Sequence, residues 1–352
     1  MGGAIVPARQ NRRVRIALIA PPWTPVPPEL YGGIELVIDR LARGFDRLGH
    51  DVLLFTTGES TCPVPKASVL PHAEGHRIGA AVPELRHALA AYEAVQEYDI
   101  VHDHTVVGPF LAERFPDLPV VTTIHGDLEG ELAYLYSRIA HRVPLIAISQ
   151  SQRDTVPDLP VARVIHHGLD AVDFPFGSAK GEYCLFLGRM SPDKGAHRAI
   201  AAARKAGVPL KMAAKMREPA ELEYFENEVE PLLGDEIDYL GEVPHHQKLE
   251  LLAGARALLF PIRWTEPFGM VMIEAMACGT PVIAFPEGAV PEVVEDGKTG
   301  FIVDDEVEMA EAINRVNELD RTACRAAVEG YFSTDRMVAE HIELFESILA
   351  AR

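Results

Sequence analysis

The sequence predicts an α/β protein made of two doubly wound parallel-sheet domains, and three observations lead to this prediction. The chain has 352 residues, which is more than one ordinary domain holds and suits two compact units. Hydrophobic residues make up 48% of it and lie in short runs along the whole length, so each half can form its own core. Near-continuous apolar runs alternate with amphipathic helical stretches, which is typical of a parallel sheet covered by helices on both faces.

The first domain is predicted to span residues 14–168. Apolar runs predict strands at 14–20, 51–57, 99–102, 119–124 and 145–148, and helical periodicity predicts helices at 35–48, 82–97 and 129–141. Right-handed crossovers place every strand-to-helix loop at one edge of such a sheet. Open α/β sheets bind their ligands at that edge.

A Gly- and Pro-rich stretch at 169–181 interrupts the alternation and is predicted to be the interdomain linker. The second domain, 182–333, is predicted to contain strands at 183–187, 210–214, 237–240, 257–261 and 282–285. The end of the chain differs, because 306–318, 321–331 and 334–350 are helical stretches with no apolar strand between them. Ser333 is the predicted N-cap of the last helix.

The balance of charge limits the kinds of partner. Asp and Glu total 52 against 33 Lys and Arg, a formal net charge of −19. Affinity for a phosphate backbone comes from Lys and Arg, so this balance argues against a nucleic-acid partner. No run approaches the ~20 apolar residues of a membrane-spanning helix, and no signal peptide is expected in residues 1–13. The four cysteines form no CxxC pair, which suits a cytoplasmic location, and homo-oligomerisation is left open.

A loop whose residues are suited to ligand binding follows the first strand of each domain. Gly32-Gly33 allows close approach of backbone to a ligand, although a glycine pair is more often an ordinary turn. It does not form GxGxxG, which disfavours a nicotinamide dinucleotide site. In the second domain, GRMSPDKG places Arg189 and Lys194 five residues apart before a helix. Two such cations suit a diphosphate, and the alternative is a solvated basic loop.

The segment WTEPFGMVMIE follows a predicted strand and holds two glutamates eight residues apart. If a helix begins near Gly269, Glu266 and Glu274 face similar directions. The backbone N–H groups of Gly269, Met270 and Val271 are then available to an anion. Glu274 lies in an otherwise apolar stretch, where a carboxylate needs a partner such as a ligand hydroxyl. The alternative is a glutamate that caps a neighbouring loop.

Histidine clusters at 102–104, 166–167 and 245–246 invite a metal interpretation. Adjacent histidines point to opposite sides of a strand, and an i, i+2 pair supplies only two ligands, so no metal site is predicted. His125 follows the predicted strand at 119–124 and is expected at the ligand edge of the first domain. The alternative is a partly buried histidine satisfied by backbone groups.

With these residues in view, the chain resembles the retaining glycosyltransferases of the GT-B fold, specifically family 4, which includes sucrose synthases and bacterial mannosyltransferases. The matching segments are, in order, YGGIELVIDRLARGFDRLGHDVLLFTT, DIVHDHT, VVTTIHG, CLFLGRMSPDKG, EPFGMVMIEAMACGTPVIAF and GAVPEVVEDGKTGFIV. The last three together are highly specific, and Glu266 and Glu274 match the E-x7-E motif of the family. The resemblance implies two Rossmann-like domains facing a central cleft, with the helix at 334–352 completing the first domain.

The resemblance also implies roles for the residues. Arg189 and Lys194 would hold the diphosphate of a nucleotide-sugar donor, Glu274 the ribose hydroxyls and Glu266 the donor sugar. The remaining implied positions are His125 near the reacting sugar, Gly33 near the phosphates, Val243 near the base, and the backbone of Phe268, Gly269, Met270 and Val271 around sugar and phosphate. Enzymes that look like this need no metal or other cofactor, because fixed cations and helix N-termini stabilise the leaving diphosphate.

The implied reaction moves a sugar, with retention of configuration, from a nucleotide-diphosphate sugar to a hydroxyl acceptor. UDP is slightly favoured over GDP and ADP. One departure from the family is Lys215-Met216-Arg217, where many relatives carry a small Gly-containing loop, and these cations either contact phosphate or are solvated. The alternatives are a sugar-nucleotide epimerase or hydrolase, a GT-B phosphorylase, and a non-catalytic sugar-nucleotide-binding protein. The joint presence of the cations, Glu266 and His125 argues against the last.

Overall fold

A computed structural model describes residues 13–177 and 181–352 of the chain. Residues 1–12, which contain most of the segment searched for a signal peptide, and residues 178–180 of the predicted linker lie outside the described residues. The described chain forms two separate parallel sheets, each covered by helices on both faces. The predicted fold class is therefore confirmed.

The first sheet has seven strands in the order β3-β2-β1-β4-β5-β6-β7, all paired in parallel. Its strands are β1 Arg15–Ile19, β2 Asp51–Phe55, β3 Lys66–Ala67, β4 Ile100–Asp103, β5 Val120–Thr123, β6 Leu145–Ala147 and β7 Val161–Val164. Its helices are α1 Gly33–Arg47, α2 Ala81–Ala94, α3 Gly130–Ile139 and α4 Gln150–Asp154.

The second sheet has six strands in the order β10-β9-β8-β11-β12-β13, also all parallel. Its strands are β8 Cys184–Arg189, β9 Leu210–Lys215, β10 Ile237–Tyr239, β11 Ala257–Phe260, β12 Val282–Ala284 and β13 Gly300–Ile302. The helices of this half are α5 Ala196–Ala206, α6 Pro219–Tyr224, α7 His245–Gly254, α8 Met270–Ala277, α9 Val290–Val293, α10 Glu306–Arg315 and α11 Arg321–Gly330, and α12 Thr334–Ala350 follows them in the chain.

Both sheets reverse their strand order beside a central strand. β1 lies between β2 and β4, and β8 lies between β9 and β11. Loops that leave the sheet in opposite directions at such a point open a crevice at the carboxyl ends of the strands. The loops after β1 and β8 therefore become the facing walls of one cleft.

The last helix, α12, packs on α1 of the first domain. Ser333 caps α12 by accepting a hydrogen bond from the Arg336 N–H. The rings of Phe345 and Phe45 lie with centroids 5.6 Å apart inside a shared apolar core. Leu169 pairs with Ser333 as an isolated bridge, so the two passages of the chain between the domains run side by side.

Three short strands, β3, β7 and β13, were not among the predicted elements. β3 has two residues, one of them Lys66, and β13 begins with Gly300, so neither is a continuous apolar run. β7, VARV, lies at the edge of its sheet with half-exposed side chains, so it lacks the apolar character of the inner strands. Across residues 13–177 and 181–352, none of the helices combines the length and the apolar content that crossing a bilayer requires.

Candidate active site in the interdomain cleft

A pocket lies between the two domains at the carboxyl ends of β1 and β8. The first domain contributes the loop Leu30–Gly33 and Leu36 of α1. The second domain contributes residues from the ends of its strands, from the loops after them and from α7 and α8. In chain order these are Leu187, Gly188, Lys194, Ala213, Ala214, Lys215, Glu242, Val243, His245, Lys248, Phe260, Glu266, Gly269, Met270, Val271 and Glu274. Most of the predicted donor-side residues therefore meet in one place.

The loop after β8 brings Lys194 to the centre of the pocket. Its ammonium is in direct contact with the carboxylate of Glu266, and both side chains are only 11% exposed. The same ammonium lies 4.5 Å from the ring centroid of Trp264. Gly195 begins α5 with φ 76°, and a Cβ there would lie 2.4 Å from the Arg198 guanidinium, so only glycine suits this turn. The loop is fixed by packing before any ligand binds.

Glu266 is held from several sides. The Trp264 indole N–H donates to its carboxylate at 3.2 Å, and the Ala289 N–H donates to its backbone oxygen at 2.9 Å. Gly288, at φ 57°, passes so close that a Cβ would lie 2.3 Å from the Glu266 backbone. The carboxylate is therefore aimed into the pocket by backbone contacts that a side chain at 288 would disrupt.

Helix α8 begins at the pocket, with Gly269 as its N-cap in the left-handed conformation. The first N–H groups of a helix have no intrahelical partner, and they carry the positive end of the helix dipole. Met270 and Val271 therefore present backbone donors toward the pocket that they line. This arrangement can bind an anion.

Glu274 lies one turn further along α8, on the same side as Glu266. Its carboxylate is buried and accepts a hydrogen bond from the Lys248 ammonium of α7 at 2.8 Å. The guanidinium of Arg40, on α1 of the first domain, adds electrostatic attraction to Glu274 across the cleft. Lys248 was missed from the sequence because its partnership exists only when α7 and α8 pack together.

Lys215 and Arg217, the two cations in the segment that departs from the family pattern, are both paired with carboxylates. Lys215 lines the pocket and contacts Glu218 at 2.5 Å and Glu221 at 3.1 Å. Arg217 donates from Nε and Nη2 to one oxygen of Glu242, at 2.9 and 2.6 Å. Neither is simply a solvated charge, and only Lys215 lines the pocket.

Arg189 and Phe268 lie beside the pocket and not in its lining. Arg189 ends β8 and contacts Asp193 at 3.3 Å, with a side chain that is 35% exposed. The ring of Phe268 is buried and packs edge-on against His167 at 5.1 Å. Its side chain therefore serves the contact between the domains.

Five histidine rings lie next to one another and are called the histidine row. Its members are, in order of contact, His341, His102, His104, His125 and His167, with the first two ring pairs tilted and the last two stacked. Neighbouring ring centroids along the row are 4.0 to 5.4 Å apart. His125 is thus held by another side chain and not by the backbone, since its Nε2 shares a 2.8 Å hydrogen bond with Nδ1 of His104.

The histidine row is neutral near pH 7. Burial lowers the pKa of His125 to about 3 and that of His341 to about 4. Burial also places the pKa of His102, His104 and His167 well below the ordinary value. Within the described ranges, no cluster of three or more His, Cys, Asp or Glu side chains is arranged to hold a metal ion.

Two more residues at this wall of the first domain were not singled out from the sequence, Tyr31 in the pocket lining and Glu35 buried behind it. The phenol of Tyr31 interacts electrostatically with Arg189 and Glu266 of the opposite domain. Glu35, in the first turn of α1, is almost fully buried, and burial raises the pKa of its carboxyl to about 7. Both lie in the quoted segment YGGIE, but a lone tyrosine and a first-turn glutamate carry no distinctive spacing.

Two facing Rossmann-like domains with a pocket between the loops after β1 and β8 define the GT-B class of glycosyltransferases. Residues 31–172 match the family described as Glycosyltransferase Family 4, and residues 173–329 match the family described as Glycosyl transferases group 1. The chain belongs to this family of enzymes, glycosyltransferase family 4 with the GT-B fold.

Characterised relatives match over most of the chain. A glycogen synthase of Mycobacterium tuberculosis strain H37Rv is 28% identical over 330 residues, covering 78% of this chain and 79% of the relative. An α-maltose-1-phosphate synthase of Mycolicibacterium smegmatis is 28% identical over 364 residues, covering 89% and 92%. The match is therefore to whole enzymes and not to one domain of them.

Solved structures share the arrangement of both domains. AviGT4, a glycosyltransferase involved in avilamycin A biosynthesis, superposes with a TM-score of 0.75 at 26% identity, covering 96% of this chain and 99% of AviGT4. HepE of Anabaena, solved with UDP and glucose, gives a TM-score of 0.75 at 21% identity over 95% of this chain and 100% of HepE. Because the sequence identity is low, the similarity to HepE is evidence for a shared fold alone.

Proposed function

We propose that the protein transfers a sugar, with retention of anomeric configuration, from a nucleotide-diphosphate sugar to a hydroxyl acceptor. The observation that carries this proposal is the Lys194–Glu266 pair, which lies beside the N-terminus of α8 in the pocket between the domains. Together these groups offer a fixed cation and backbone donors for phosphate, and a carboxylate for sugar hydroxyls.

In the proposed donor complex, the ion pairs of the pocket exchange partners. Lys194 and Arg189 turn from their carboxylates to the diphosphate, and the N–H groups at the start of α8 bind the same phosphates. Glu266, released from Lys194, accepts hydrogen bonds from hydroxyls of the donor sugar. A pair that only swaps partners avoids leaving a buried charge alone, which would cost several kcal/mol.

The rest of the pocket supports the nucleoside side of the donor. Glu274 would accept from the ribose hydroxyls while Lys248 and Arg40 balance its charge. Val243, at the edge of the pocket after β10, would face the base. Gly33 would bring first-domain backbone close to the phosphates. UDP is the nucleotide we would test first, as the resemblance implies.

The chemical step is proposed to occur on one face of the sugar. As the bond to the donor phosphate breaks, an oxygen of the leaving diphosphate takes the proton of the acceptor hydroxyl, and the new bond forms on the same face. Fixed cations and helix donors stabilise the developing negative charge without a metal ion. His125, neutral and held by His104, would contribute a hydrogen bond near the reacting sugar.

An acceptor-dependent assay separates this proposal from its alternatives. Thermal-shift screening with UDP-, GDP- and ADP-sugars finds the donor, since a ligand that binds only the folded state raises the melting temperature. Turnover should then require an added acceptor and should release nucleotide diphosphate together with a new glycoside. Release without an acceptor would favour the epimerase or hydrolase, and binding without turnover would favour a non-catalytic protein.

The proposed location is the cytoplasm. All four cysteines are buried and unpaired thiols, as suits a reducing compartment. Cell fractionation followed by immunoblotting would check this.

A further inference from the structure

At the mouth of the pocket, a carboxylate of the second domain contacts the Tyr31–Gly33 loop of the first domain. Glu242 follows β10 in the second domain, and its Oε1 accepts a hydrogen bond from the backbone N–H of Tyr31 in the first domain at 3.1 Å. Its Oε2 accepts both the Nε and Nη2 donors of Arg217, at 2.9 and 2.6 Å. The side chain of Glu242 is 18% exposed, so it is largely enclosed by these contacts.

Arg217 is itself held in place by Glu221. Its backbone N–H donates to Glu221 at 2.8 Å, and the same glutamate accepts from the Glu218 N–H at 3.1 Å. Glu221 also pairs with Lys215 at 3.1 Å, and Lys215 lines the pocket. Contacts therefore run without a break from Lys215 in the pocket lining, through Glu221 and Arg217, to Glu242 and the loop of the first domain.

The loop that Glu242 contacts is the first-domain wall of the pocket. Tyr31, Gly32 and Gly33 all line it, and α1 begins at Gly33. The Tyr31 phenol lies within electrostatic range of Arg189 and Glu266. The position of this short loop therefore decides how closely first-domain backbone approaches whatever occupies the pocket.

A second contact between the domains lies on the other side of the cleft and is built differently. Glu292, on α9 after β12, accepts from the N–H groups of Gln150 and Ser151 at 2.7 Å each, and from His166 at 2.7 Å. His166 also bonds to Tyr331, next to the paired passages of the chain between the domains. This side is fixed by several hydrogen bonds, whereas at the mouth the backbone N–H of Tyr31 is bonded to the opposite domain through Glu242.

We propose that Arg217 and Glu242 form a clasp that holds the Tyr31–Gly33 loop against the donor, which makes both of them positioning residues for donor binding. The proposal rests on the proposed function of the pocket. Arg217 fixes the direction of the carboxylate and neutralises a charge that would otherwise repel donor phosphates. The segment Lys215-Met216-Arg217 then has a role in holding this loop, because Lys215 and Arg217 both bond to Glu221.

Amide hydrogen exchange of the ligand-free full chain tests the clasp without any assumption about the substrate. Glu242→Ala removes the acceptor of the Tyr31 amide, and Arg217→Ala removes the side chain that holds this acceptor in place. In both variants the Tyr31 amide should therefore exchange roughly threefold or more faster than in the wild type. Arg315→Ala, at the end of α10, removes a 3.3 Å pair with Glu318 and is the matched control, with no change expected at Tyr31. Unchanged exchange at Tyr31 in both clasp variants would overturn the proposal.

Donor kinetics test the consequence, using whichever of UDP-, GDP- or ADP-glucose the wild type turns over. Arg217→Ala should raise the donor KM roughly three- to tenfold, as suits a half-exposed charged pair, with kcat within about twofold. Arg217→Lys should recover part of this loss, and Glu242→Gln, which keeps an oxygen for Tyr31, should lose less than Glu242→Ala. A fall in kcat alone would overturn the clasp. Failure of the wild type with all three donors would instead count against the proposed function, while the exchange result still decides the clasp.

Discussion

The two walls of the cleft use different chemistry. The second-domain wall holds opposite charges in pairs, namely Lys194 with Glu266 and Lys248 with Glu274. Behind the first-domain wall lies the histidine row, which burial keeps neutral, and the wall itself offers a backbone loop. Charges that can change partners suit a diphosphate and sugar hydroxyls, whereas neutral rings fix geometry without competing for the phosphates.

This difference has an energetic consequence. In the second-domain wall, removing one partner of a pair leaves a charge in a poorly solvated place, so single substitutions there should act strongly on ligand binding and turnover. In the first domain, the buried imidazoles bind protons less readily than they do in the unfolded chain. Acid should therefore act there on stability.

The largest expected effect is on turnover by Glu266→Gln. The amide keeps the shape but loses the negative charge that the donor hydroxyls require, so kcat should fall roughly a hundredfold or more. Binding of the bare nucleotide diphosphate should remain nearly intact, because Lys194 stays free to bind phosphate. Steady-state kinetics and titration calorimetry measure the two quantities. Glu287→Gln, at an exposed pair with Arg263, is the control, and a matching loss there would remove the special role of Glu266.

Lys194→Ala and Arg189→Ala should both weaken binding of the nucleotide diphosphate. Arg189→Ala should leave the free energy of unfolding nearly unchanged, whereas Lys194→Ala should also lower it, because Glu266 then loses its cation in a poorly solvated place. A charge-assisted hydrogen bond contributes roughly 1.5–3 kcal/mol, which corresponds to about a ten- to hundredfold change in Kd. Lys194 is only 11% exposed and Arg189 35%, so the first substitution should have the larger effect.

Titration calorimetry with UDP, GDP and ADP decides this second prediction. Lys298→Ala, at an exposed pair with Glu295 outside the pocket lining, should leave binding unchanged. Equal affinity in wild type and both cleft variants would show that the phosphates bind elsewhere.

Acidification should destabilise the protein through the histidine row. An unfolded histidine titrates near 6.5, while burial holds the pKa of these histidines lower in the folded state. Their contribution to the free energy of unfolding is therefore complete above pH 6.5 and is lost as the pH falls below it, by up to ~1.4 kcal/mol per pH unit for each. Asp103 and Glu35, whose pKa burial raises to about 7, act in the opposite direction.

Urea unfolding at pH 8, 6.5 and 5.5 measures this dependence. His341→Leu places an apolar side chain between Phe45 and Phe345. It should therefore reduce the pH dependence of the free energy of unfolding by about the contribution of one histidine. His76→Ala, at an exposed position, should not change it. A wild-type free energy of unfolding that rises as the pH falls from 6.5 to 5.5 would contradict the proposed balance.

No effect is expected from removing divalent metal. If Arg189, Lys194 and the start of α8 stabilise the leaving diphosphate, turnover in excess EDTA should match that of untreated enzyme within about twofold. Loss of activity that magnesium or manganese restores would mean that the second-domain wall needs a metal to neutralise the phosphates.

Much of this arrangement could be predicted from sequence, for physical reasons. Buried parallel strands are continuous apolar runs, so β1, β2, β8 and β11 stand out from the helices around them. Lys194, Glu266 and Glu274 could be singled out because they lie in strand-to-helix loops and at a helix start, whose place at the ligand edge follows from local order in the chain.

The rest depends on which elements meet in space. The histidine row joins β4, the ends of β5 and β7, and α12, and no spacing in the sequence links His341 to His102. Lys248 and Glu242 gain their partners only through packing of helices or domains. Charged residues at ordinary positions carry no local pattern of their own, so the sequence left the roles of Lys215 and Arg217 open.

The stereochemistry of the product tests the central proposal most directly. With an α-linked nucleotide sugar as donor, proton NMR of the product should show an α-glycoside, and mass spectrometry during turnover should find no sugar attached to the enzyme. A covalent route would instead require a carboxylate that forms a glycosyl-enzyme intermediate. A β-linked product, or a sugar adduct on Glu266, would contradict the proposal that charged pairs in the second-domain wall hold the donor while its own phosphate oxygen accepts the proton.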